Sequence, residues 1–347
     1  MDKERPVRGF DVPSIEEKRE REEEKGLRPV QLSDFNGQTE IKAKLEVYIK
    51  AAKERGDALD HILFYGPPGL GKTTLAGIIA HEMNSELRVT TGPALEKTGD
   101  LAAILSNLQD HDVLFIDEIH RLSAAIEEVL YSAMEDFTLH IIVGKGPLAR
   151  SICLNLPKFT LVGATTRLGL LSSPLRARFG ITEQLRLYTP DELCVILARG
   201  AAVMKMNVAQ DACRAIADRS RGTPRIALRL LRRLRDFAQV AGVPSVEKDL
   251  AERAMNTLGL DSMGLDDGDR KILETIVVLF GGGPVGLSTL AAAMNEEPQT
   301  IEDIYEPYLI QKGMIERTPR GRKATENAYR YLGKTFPQKN VNQLKLL

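Results

Sequence analysis

A glycine-rich stretch, GPPGLGKTT, occupies residues 66–74 and contains the residue types that bind phosphate. It fits the pattern G-x-x-x-x-G-K-[ST], in which glycines let backbone N–H groups turn toward an anion. Lys72 can reach the β- and γ-phosphates of a nucleotide, Thr73 can place a hydroxyl on Mg²⁺, and Thr74 can contact the α-phosphate. An apolar run precedes the stretch and helix-forming residues follow it, so a helix N-terminus would also face the anion. This context favours a nucleotide-binding loop over a chance glycine-rich turn.

A second stretch, DVLFIDEIH at residues 112–120, places two carboxylates after an apolar run. The run is typical of a buried parallel strand, and ligands bind at the carboxyl ends of such strands. Asp117 can hold Mg²⁺ through water, and Glu118 can polarise an attacking water. A solvated acidic pair at a strand end is the alternative. The nucleotide-binding loop earlier in the chain favours the functional interpretation.

A third apolar run, LVGATTR at residues 161–167, ends in two hydroxyl residues. If this strand joins the same sheet, Thr165 or Thr166 can sense the γ-phosphate or orient the attacking water. A threonine-rich strand end with no such role is almost equally consistent with the residues alone.

Two arginines, Arg176 and Arg178, alternate with apolar residues in SSPLRARFG, residues 172–180. The alternation predicts a short extended segment with one apolar and one cationic side. No carboxylate lies nearer along the chain than Glu183. The pair therefore raises the question of what neutralises these two guanidinium groups.

Another arginine is placed unfavourably for a helix. In RGTPRIALRLLRRLRDF, residues 221–237, Thr223 suits an N-cap and Pro224 suits the first helical position. Arg225 then falls in the first turn, where the helix dipole disfavours a cation. A bound phosphate would explain it. The later arginines of this stretch are expected to form the solvated face of the helix.

The elements that must position these residues alternate between strands and helices. Strands are predicted within HILFY, LRVT, DVLFID and FTLVGAT, and helices within TTLAGIIAHEM, DLAAILSNL and AAIEEVLYSAMEDF. This alternation predicts an α/β fold in which helices cover both faces of a parallel sheet. Only helical periodicity follows, from about Asp191 to Gly259. From about Leu260 onward the sequence predicts helices separated by glycines, followed by a turn-rich basic segment.

Composition limits the class of protein. The chain has 347 residues, 43% hydrophobic and 27% charged, with a net charge of −1, which is typical of a globular protein. Three cysteines without C-x-x-C spacing favour a reducing compartment, and the absence of a long apolar run or a signal-peptide core makes the cytoplasm the expected location. Residues 1–26 are highly charged and are predicted to form a flexible extension.

The charges at the C-terminal end are unevenly distributed. Residues 261–306 carry ten acidic and two basic residues, net −8, whereas residues 307–347 carry nine basic and two acidic residues, net +7. Such asymmetry indicates a polyanionic partner, although an ordinary solvated surface is the alternative. Because the chain has no Trp and only 5% aromatic residues, backbone contact with duplex DNA fits better than base stacking on single strands.

Taken together and in this order, the stretches GPPGLGKTT, LFIDEIHRL, GATTR, SPLRARFG and GTPRIA resemble those of AAA+ ATPases. The flanking stretches AAKERGDALDHILFYGPPGLGKTTLA, GPALEKTGDLAAIL, IEEVLYSAMEDF and RTPRGR resemble the RuvB family of bacterial Holliday-junction branch-migration motors. The likeness extends from about Leu27 to Thr325. The Glu-rich segment at residues 11–26 and the end after about Tyr329 do not match, and Gly281 stands where the family often has a bulkier residue.

The resemblance implies an αβα AAA+ core with a parallel sheet at 27–190, a helical lid at 191–260 and a winged-helix domain at 261–347, after the extension at 1–26. It implies that ATP and Mg²⁺ bind, and that a homo-hexamer with RuvA, and RuvC in the resolving complex, migrates a Holliday junction. A clamp-loader-like ATPase that assembles a partner on DNA is the alternative. A DNA-binding module with a degenerate nucleotide fold is a second alternative, which the intact motifs disfavour.

The resemblance also assigns roles to single residues. Arg178 would be an arginine finger that reaches the nucleotide of a neighbouring subunit, Arg225 the sensor-2 arginine, and Thr166 the sensor-1 residue. The implied nucleotide contacts are Leu27, Arg28, Gly69, Gly71, Lys72, Thr73, Thr74, Tyr188 and Arg225, with Glu135, Asp136 and Phe137 on the neighbour's side.

Two further segments are assigned in the same way. The stretch TLHIIVGKGPLARSICLNL, residues 138–156, reads as two strands around a Gly-Lys-Gly-Pro turn. In the family this hairpin contacts RuvA, and Leu148 would lie at that contact. Near the C-terminus, Arg317, Arg320, Arg322 and Lys323 of the basic loop would meet DNA phosphates.

Overall fold

The computed structural model describes residues 26–143 and 150–337. Leu148 and nearly all of the predicted N-terminal extension lie outside these residues. The chain packs as two units, each with its own hydrophobic core. Of the described residues, the first unit contains those up to 217 together with 222–246, and the second contains 218–221 together with those from 247 to 337.

A parallel sheet of five strands forms the centre of the first unit, in the order β2–β3–β6–β1–β7. Its strands are β1 (Ile62–Tyr65), β2 (Leu87–Thr91), β3 (Val113–Asp117), β6 (Thr160–Thr165) and β7 (Ile181–Gln184). The four strands predicted from their apolar runs are confirmed. The edge strand β7 was not predicted, because its four residues, ITEQ, carry no apolar run.

Helices accompany this sheet, three of them at the places where periodicity predicts a helix. They are α1 (Thr39–Arg55), α2 (Lys72–Glu82), α3 (Thr98–Leu105), α4 (Ala124–Glu135) and α5 (Ser173–Ala177). The three predicted helices correspond to α2, α3 and α4. Leucine and isoleucine side chains of α3, α4 and α5 and of β1, β3 and β6 form one continuous buried core. The central strands β1, β3 and β6 are buried on both faces, as expected for a parallel sheet covered by helices.

The stretch SSPLRARFG is helical, so the prediction of an extended segment is wrong. Ser172 caps α5 by accepting a hydrogen bond from the backbone N–H of Leu175 at 3.3 Å. Pro174 lies in the first turn of the helix, where its missing N–H is not needed. Leu175 is fully buried and Phe179 is 6% exposed. Their four-residue spacing therefore reflects one face of a helix and not one side of a strand.

The predicted hairpin is confirmed by two antiparallel strands, β4 (Thr138–Val143) and β5 (Arg150–Asn155). The turn between them falls outside the described residues. The first unit is completed by three helices and two short strands: α6 (Pro190–Val203), β8 (Asn207–Val208), α7 (Gln210–Arg219), α8 (Pro224–Ala241) and β9 (Ser245–Val246). The last two residues of α7 belong to the second unit.

The second unit consists of helices and one hairpin. Its elements are α9 (Lys248–Thr257), α10 (Asp267–Glu274), α11 (Leu287–Met294), α12 (Pro298–Thr300), α13 (Glu306–Gln311), β10 (Ile315–Thr318), β11 (Gly321–Ala324) and α14 (Glu326–Tyr331). One π-helical segment, Thr275–Leu279, extends α10, and another, Ile301–Tyr305, precedes α13. In the stretch TIEDIYEPYLIQKGMIER, residues 300–317, helical structure ends at Gln311, because the last residues pair as β10 with β11.

None of the helices within the described ranges combines the length and the apolar character needed to cross a membrane.

A buried histidine ties three elements of the first unit together. His61, which is 8% exposed, accepts a hydrogen bond on Nδ1 from the backbone N–H of Leu161 at 2.9 Å. Its other nitrogen, Nε2, lies 3.1 Å from the carbonyl oxygen of Met134. With Nδ1 accepting, the neutral ring must carry its proton on Nε2 and donate it to that carbonyl. Burial lowers the pKa of His61 from its ordinary value.

We therefore expect His61 to contribute stability that depends on pH. Because its pKa is lowered in the folded state, the contribution is full above the unfolded value of about 6.5 and is lost as pH falls through it. The difference in unfolding free energy between wild type and His61→Gln should shrink between pH 7.5 and pH 5 in urea titrations. A difference that stays constant across this range would contradict the assignment.

Candidate functional site

The glycines of the predicted nucleotide-binding loop take backbone conformations that other residues rarely adopt. Gly66, Gly69 and Gly71 have φ angles of 139°, 80° and 99°. A Cβ atom on Gly66 would lie 2.6 Å from the carbonyl oxygen of Leu185. Glycine is therefore required at position 66 for the loop to leave β1 and turn into α2.

Lys72 begins α2 and is 8% exposed. Its Nζ donates hydrogen bonds to the carbonyl oxygens of Gly66 at 2.8 Å and Pro67 at 2.9 Å, so the ammonium lies inside the curve of the loop. Burial lowers the pKa of Lys72 to about 8; Asp117 opposes this shift and Arg225 adds to it. A bound phosphate would supply the negative charge that this lysine lacks.

Two carboxylates emerge where β3 ends. Asp117 Oδ1 accepts a hydrogen bond from the backbone N–H of Glu118 at 2.9 Å. Glu118 itself has a φ of 48°, a left-handed conformation that turns the chain sharply after the strand. Its carboxylate pairs with Arg121 at 3.0 Å, which fixes its direction at the sheet edge.

The two neighbouring threonines have different surroundings. Thr165 is 1% exposed, its Oγ1 lies 3.0 Å from Nδ1 of His120, and it accepts a hydrogen bond from the backbone N–H of Arg167 at 2.9 Å. Thr166 is exposed and faces the cleft beside the loop. Geometry therefore favours Thr166 as the residue that can contact a ligand and gives Thr165 a structural role.

A cleft of about 440 Å³ brings most of the predicted residues together in the first unit. It is lined by Leu27, Arg28, Pro68, Gly69, Gly71, Lys72, Thr73, Thr74, Asp117, Glu118, Thr166, Pro224, Arg225, Leu228 and Arg232. Within the described residues, no cluster of three or more His, Cys, Asp or Glu side chains is suited to a metal. Thr73 and Asp117 do fit Mg²⁺, because this ion is usually held by one or two oxygen ligands together with the substrate phosphates.

Arg225 reaches this cleft from the start of α8. Its backbone N–H donates to the carbonyl oxygen of Gly69 at 3.4 Å, and a Cβ on Gly69 would lie 3.1 Å from the Arg225 Cβ. Pro224 occupies the first turn of α8, as predicted. The unfavourable position of a cation at a helix N-terminus is thus explained by a cleft built for an anion.

Tyr188, unlike most of the other predicted nucleotide contacts, lies behind the phosphate loop and not in the cleft. It is 5% exposed, and its hydroxyl donates to the carbonyl oxygen of Leu70 at 3.1 Å, behind the loop. It is not among the described side chains that line the cleft. Leu27 and Arg28 do line the cleft, and the carbonyl oxygen of Leu27 accepts a hydrogen bond from Arg199 at 2.9 Å.

Arg178 has a carboxylate partner within its own chain, although none lies near it in the sequence. Its Nη2 lies 3.0 Å from Oε2 of Glu135, and its Nη1 donates to the carbonyl oxygen of Pro174 at 2.9 Å. The guanidinium also stacks over the ring of Tyr131, 4.4 Å from its centroid. Because Glu135 is 43 positions away in the sequence, a search among sequence neighbours could not find it.

The remaining residues of the predicted neighbour-facing segment lie away from the cleft. Phe137 places its ring 5.9 Å from that of Phe159 and 6.1 Å from that of His61. Glu135 is exposed and bound to Arg178, and Asp136 is also exposed. These three residues and Arg178 therefore lie apart from the described lining of the cleft in their own chain.

Sequence reasoning missed two residues that accompany the site. Arg232 lines the cleft although the arginines of α8 were assigned to a solvated face. The spacing of Arg225, Leu228 and Arg232 was the available signal, since residues three and four apart share one face of a helix. Arg121, three positions after Glu118, could have been found in the same way.

The basic hairpin of the second unit holds a buried carboxylate. Glu306 is fully buried at the start of α13. Arg317 Nε lies 2.6 Å from Oε1 of Glu306, and Arg322 Nη2 lies 2.9 Å from Oε2. Arg320 lies between the two strands of the hairpin and is exposed. Two of the arginines predicted to contact DNA thus also hold the hairpin to α13.

Three family models together match almost all of the described chain. A model described as the Holliday junction DNA helicase RuvB P-loop domain matches residues 27–185. The RuvB AAA lid domain matches residues 188–261, and the RuvB C-terminal winged helix domain matches residues 262–333.

Solved structures of the same family are similar to this chain. The RuvB Holliday junction branch migration motor of Thermotoga maritima is 51% identical, with a TM-score of 0.82 over 90% of this chain and 100% of that one. Two point mutants of the Thermotoga maritima protein are also 51% identical, each with a TM-score of 0.83. They match 89% and 90% of this chain, and 100% and 99% of their own length.

The lowered pKa of Lys72 predicts how triphosphate affinity varies with pH. The free protein has a Lys72 pKa of about 8, and a bound triphosphate would raise it. Affinity is therefore full below pH 8 and should fall by up to about tenfold per pH unit above it. Titrating a fluorescent, non-hydrolysable ATP analogue between pH 7 and pH 9.5 measures this slope.

The matched control for this measurement is Lys72→Arg, since a guanidinium stays charged throughout the range. Whatever its absolute affinity for the analogue, this variant should not show the loss of affinity above pH 8 that titration of Lys72 causes. If both proteins lose affinity in parallel, the titration does not belong to Lys72.

Proposed function

The chain belongs to the RuvB family of AAA+ ATPases, and on that premise we propose that it is an ATP-driven motor that migrates Holliday junctions in recombination and repair. The observation that carries the proposal is the cleft in which Lys72, Asp117, Glu118 and Arg225 converge, in a chain whose second unit matches the family's winged-helix domain. The clamp-loader-like alternative gains no support from these matches.

The geometry of the cleft supports a role for each residue in hydrolysis. The loop glycines and the N-terminus of α2 bind the phosphates, and Lys72 neutralises them. Thr73 and Asp117 would hold Mg²⁺, which supplies charge neutralisation when bound. Glu118, held by Arg121 at 3.0 Å, orients and polarises the attacking water. Thr166 contacts the γ-phosphate, which its exposure in the cleft supports.

Four further residues surround the nucleotide base and the γ-phosphate. Leu27 and Arg28 lie beside the adenine, and Tyr188 supports the loop from behind through its hydrogen bond to Leu70. Arg225 senses the γ-phosphate from the first turn of α8.

We assign Arg178 to the nucleotide of a neighbouring subunit in a homo-hexamer. Within its own chain the side chain is 21% exposed and lies outside the cleft lining. A partner on another chain is consistent with that location. Glu135 would hold the guanidinium in its direction until the neighbouring phosphate competes for it. An arginine finger is worth about 10³–10⁵ in rate.

Duplex DNA and two proteins complete the proposal. The exposed side of the basic hairpin contacts phosphates, mainly through Arg320, with Arg317 half-exposed beside it. RuvA docks on the hairpin of β4 and β5, at Leu148, and RuvC joins in the resolving complex. We propose a cytoplasmic location, which rests on the three cysteines without disulfide spacing.

The motor assignment predicts ATP-driven dissolution of a synthetic four-way DNA junction in the presence of RuvA. Arg178→Ala and Lys72→Ala should each abolish the activity, for different reasons. If Arg178 acts across a subunit boundary, an equimolar mixture of the two variants regains some complete sites. For independent sites in a ring, about a quarter of wild-type ATP turnover returns.

The control mixes Arg178→Ala with the double variant Lys72→Ala/Arg178→Ala, which supplies no arginine and should regain nothing. A mixture no more active than the average of its components places Arg178 in its own chain's site. Wild type that hydrolyses ATP but leaves the junction intact refutes the motor and favours the loader.

The hairpin arginines are expected to respond differently to substitution. Arg320→Ala removes one phosphate contact, so the slope of log Kd against log salt for duplex DNA should fall by about 1. Arg322→Ala removes two hydrogen bonds to the buried Glu306, so it should lower the unfolding free energy by about 2–4 kcal/mol. Salt titrations and urea unfolding measure the two effects. If Arg322→Ala reduces the salt slope without loss of stability, the ion pair is not its main role.

A further inference from the structure

The chain passes from one unit to the other immediately before the predicted sensor arginine. Residues 218–221 pack with the second unit, whereas residues 222–246 pack with the first. The chain therefore crosses between the units at the peptide bond that joins Arg221 to Gly222, as it also does after Ala217 and after Val246. Only three residues separate Arg221 from Arg225, which lines the nucleotide cleft.

On the winged-helix side, two arginines hold the segment 218–221. Arg219 Nε donates to the carbonyl oxygen of Asp261 at 2.9 Å, and Arg221 Nε donates to that of Gly264 at 3.2 Å. The contact is close, because a Cβ on Gly264 would lie 2.9 Å from the carbonyl oxygen of Arg219. The segment is thus packed directly against the loop that leads into α10.

Arg221 makes the strongest of these contacts. Its Nη2 lies 2.8 Å from Oδ2 of Asp266 and 2.5 Å from Oδ2 of Asp269. These aspartates form the capping box of α10, each accepting the other's backbone N–H at 3.0 Å. The guanidinium also lies 4.8 Å from the ring centroid of Tyr308. Arg221 is therefore bound to the first turn of α10.

The aspartate at the centre of this contact depends on the arginine. The Asp269 side chain is fully buried and that of Arg221 is 11% exposed. Burial raises the pKa of Asp269 to about 6, and the nearby Arg221 opposes the shift. Removing one partner of a buried ion pair leaves the other charge uncompensated, so the contact resists separation.

On the ATPase side, the following residues are held as firmly. The carbonyl oxygen of Gly222 accepts the backbone N–H of Tyr188 at 2.9 Å. Gly222 has a φ of 68°, and a Cβ there would lie 3.0 Å from the Cβ of Leu187. Next, Pro224 has a restricted φ, and the N–H of Arg225 donates to the carbonyl of Gly69 in the phosphate loop at 3.4 Å.

Each side of the Arg221–Gly222 peptide bond is thus held by contacts within its own unit. We propose that Arg221 is a positioning residue that couples the nucleotide site to the winged-helix unit. By holding residues 218–221 on the capping box of α10, it makes a displacement of Arg225 move the winged-helix unit and prevents the connecting segment from pulling free. The inference rests on the function proposed above and names the residue through which nucleotide state reaches the DNA-binding unit.

Coupling is measured as the ratio of duplex DNA dissociation constants with ADP and with a non-hydrolysable ATP analogue. Allosteric ratios are typically about 5–150, and we expect wild type to fall in this range. In Arg221→Ala the ratio should fall toward one, while the affinity for the analogue in the absence of DNA stays unchanged. A purely structural residue would weaken DNA binding in both nucleotide states without changing the ratio.

Arg270→Ala is the matched control. Arg270 donates to the carbonyl oxygens of Gly259 and Leu265, at 3.0 Å each, and pairs with Asp267. Arg270 lies in the same unit as Arg221 and beside the capping box of α10. None of the contacts just named joins it to residues 218–221. Its ratio should stay at the wild-type value even if the variant is less stable.

Four outcomes would overturn one proposal or both. An Arg221→Ala protein with the wild-type ratio overturns the coupling, and so does an equal loss of the ratio in Arg270→Ala. If Arg221→Ala does not fold, Asp269→Asn is measured instead, and a ratio reduced less than threefold overturns the coupling. If the ratio of DNA dissociation constants is one in the wild-type protein and the protein does not migrate junctions, the motor function itself is refuted. This outcome is distinguishable from a failure of the coupling alone.

Discussion

Parallel pairing of β1 with β6, and of β6 with β3, is the constraint on which the nucleotide site depends. The register pairs Tyr65 with Thr165, and the N–H of Gly66 donates to the carbonyl oxygen of Thr165 at 3.2 Å. The phosphate loop, the carboxylates after β3 and the hydroxyls after β6 therefore leave the sheet at one edge. Burial of both sheet faces stabilises this pairing, because a shifted register would misplace the apolar runs that fill the core.

The cleft is lined by more basic than acidic side chains. It gathers Lys72, Arg225, Arg28 and Arg232 around a pair of carboxylates, and the lowered pKa of Lys72 reflects burial beside another cation. The free energy lost by burying the charged Lys72 is returned when a polyphosphate binds. The burial that makes the charged Lys72 unfavourable in the empty cleft thus increases the affinity of the cleft for a nucleotide.

Arginines outside the cleft show how one residue type serves both structure and function. Arg178, Arg221, Arg317 and Arg322 each bind a carboxylate that is distant in sequence. Planar guanidinium groups suit such contacts because they can bind two oxygen atoms at once. In the second unit the carboxylates are fully buried, so those arginines are fixed in place. Glu135 is exposed, so its pair with Arg178 is the more easily exchanged for another anion.

The sequence by itself determined the local features of this protein: the phosphate loop, four of the strands, three of the helices beside them and the start of α8 at Pro224. These depend on neighbours within a few residues, and periodicity or turn chemistry reports them directly. Tertiary structure alone decided which threonine faces the cleft, that SSPLRARFG is a helix and that β7 joins the sheet. It also decided the partners of the arginines, since Glu135 and Arg178 meet across 43 positions and Arg221 and Asp269 across 48. Charge pairing across such distances leaves no periodic signal, because it depends on how whole elements pack.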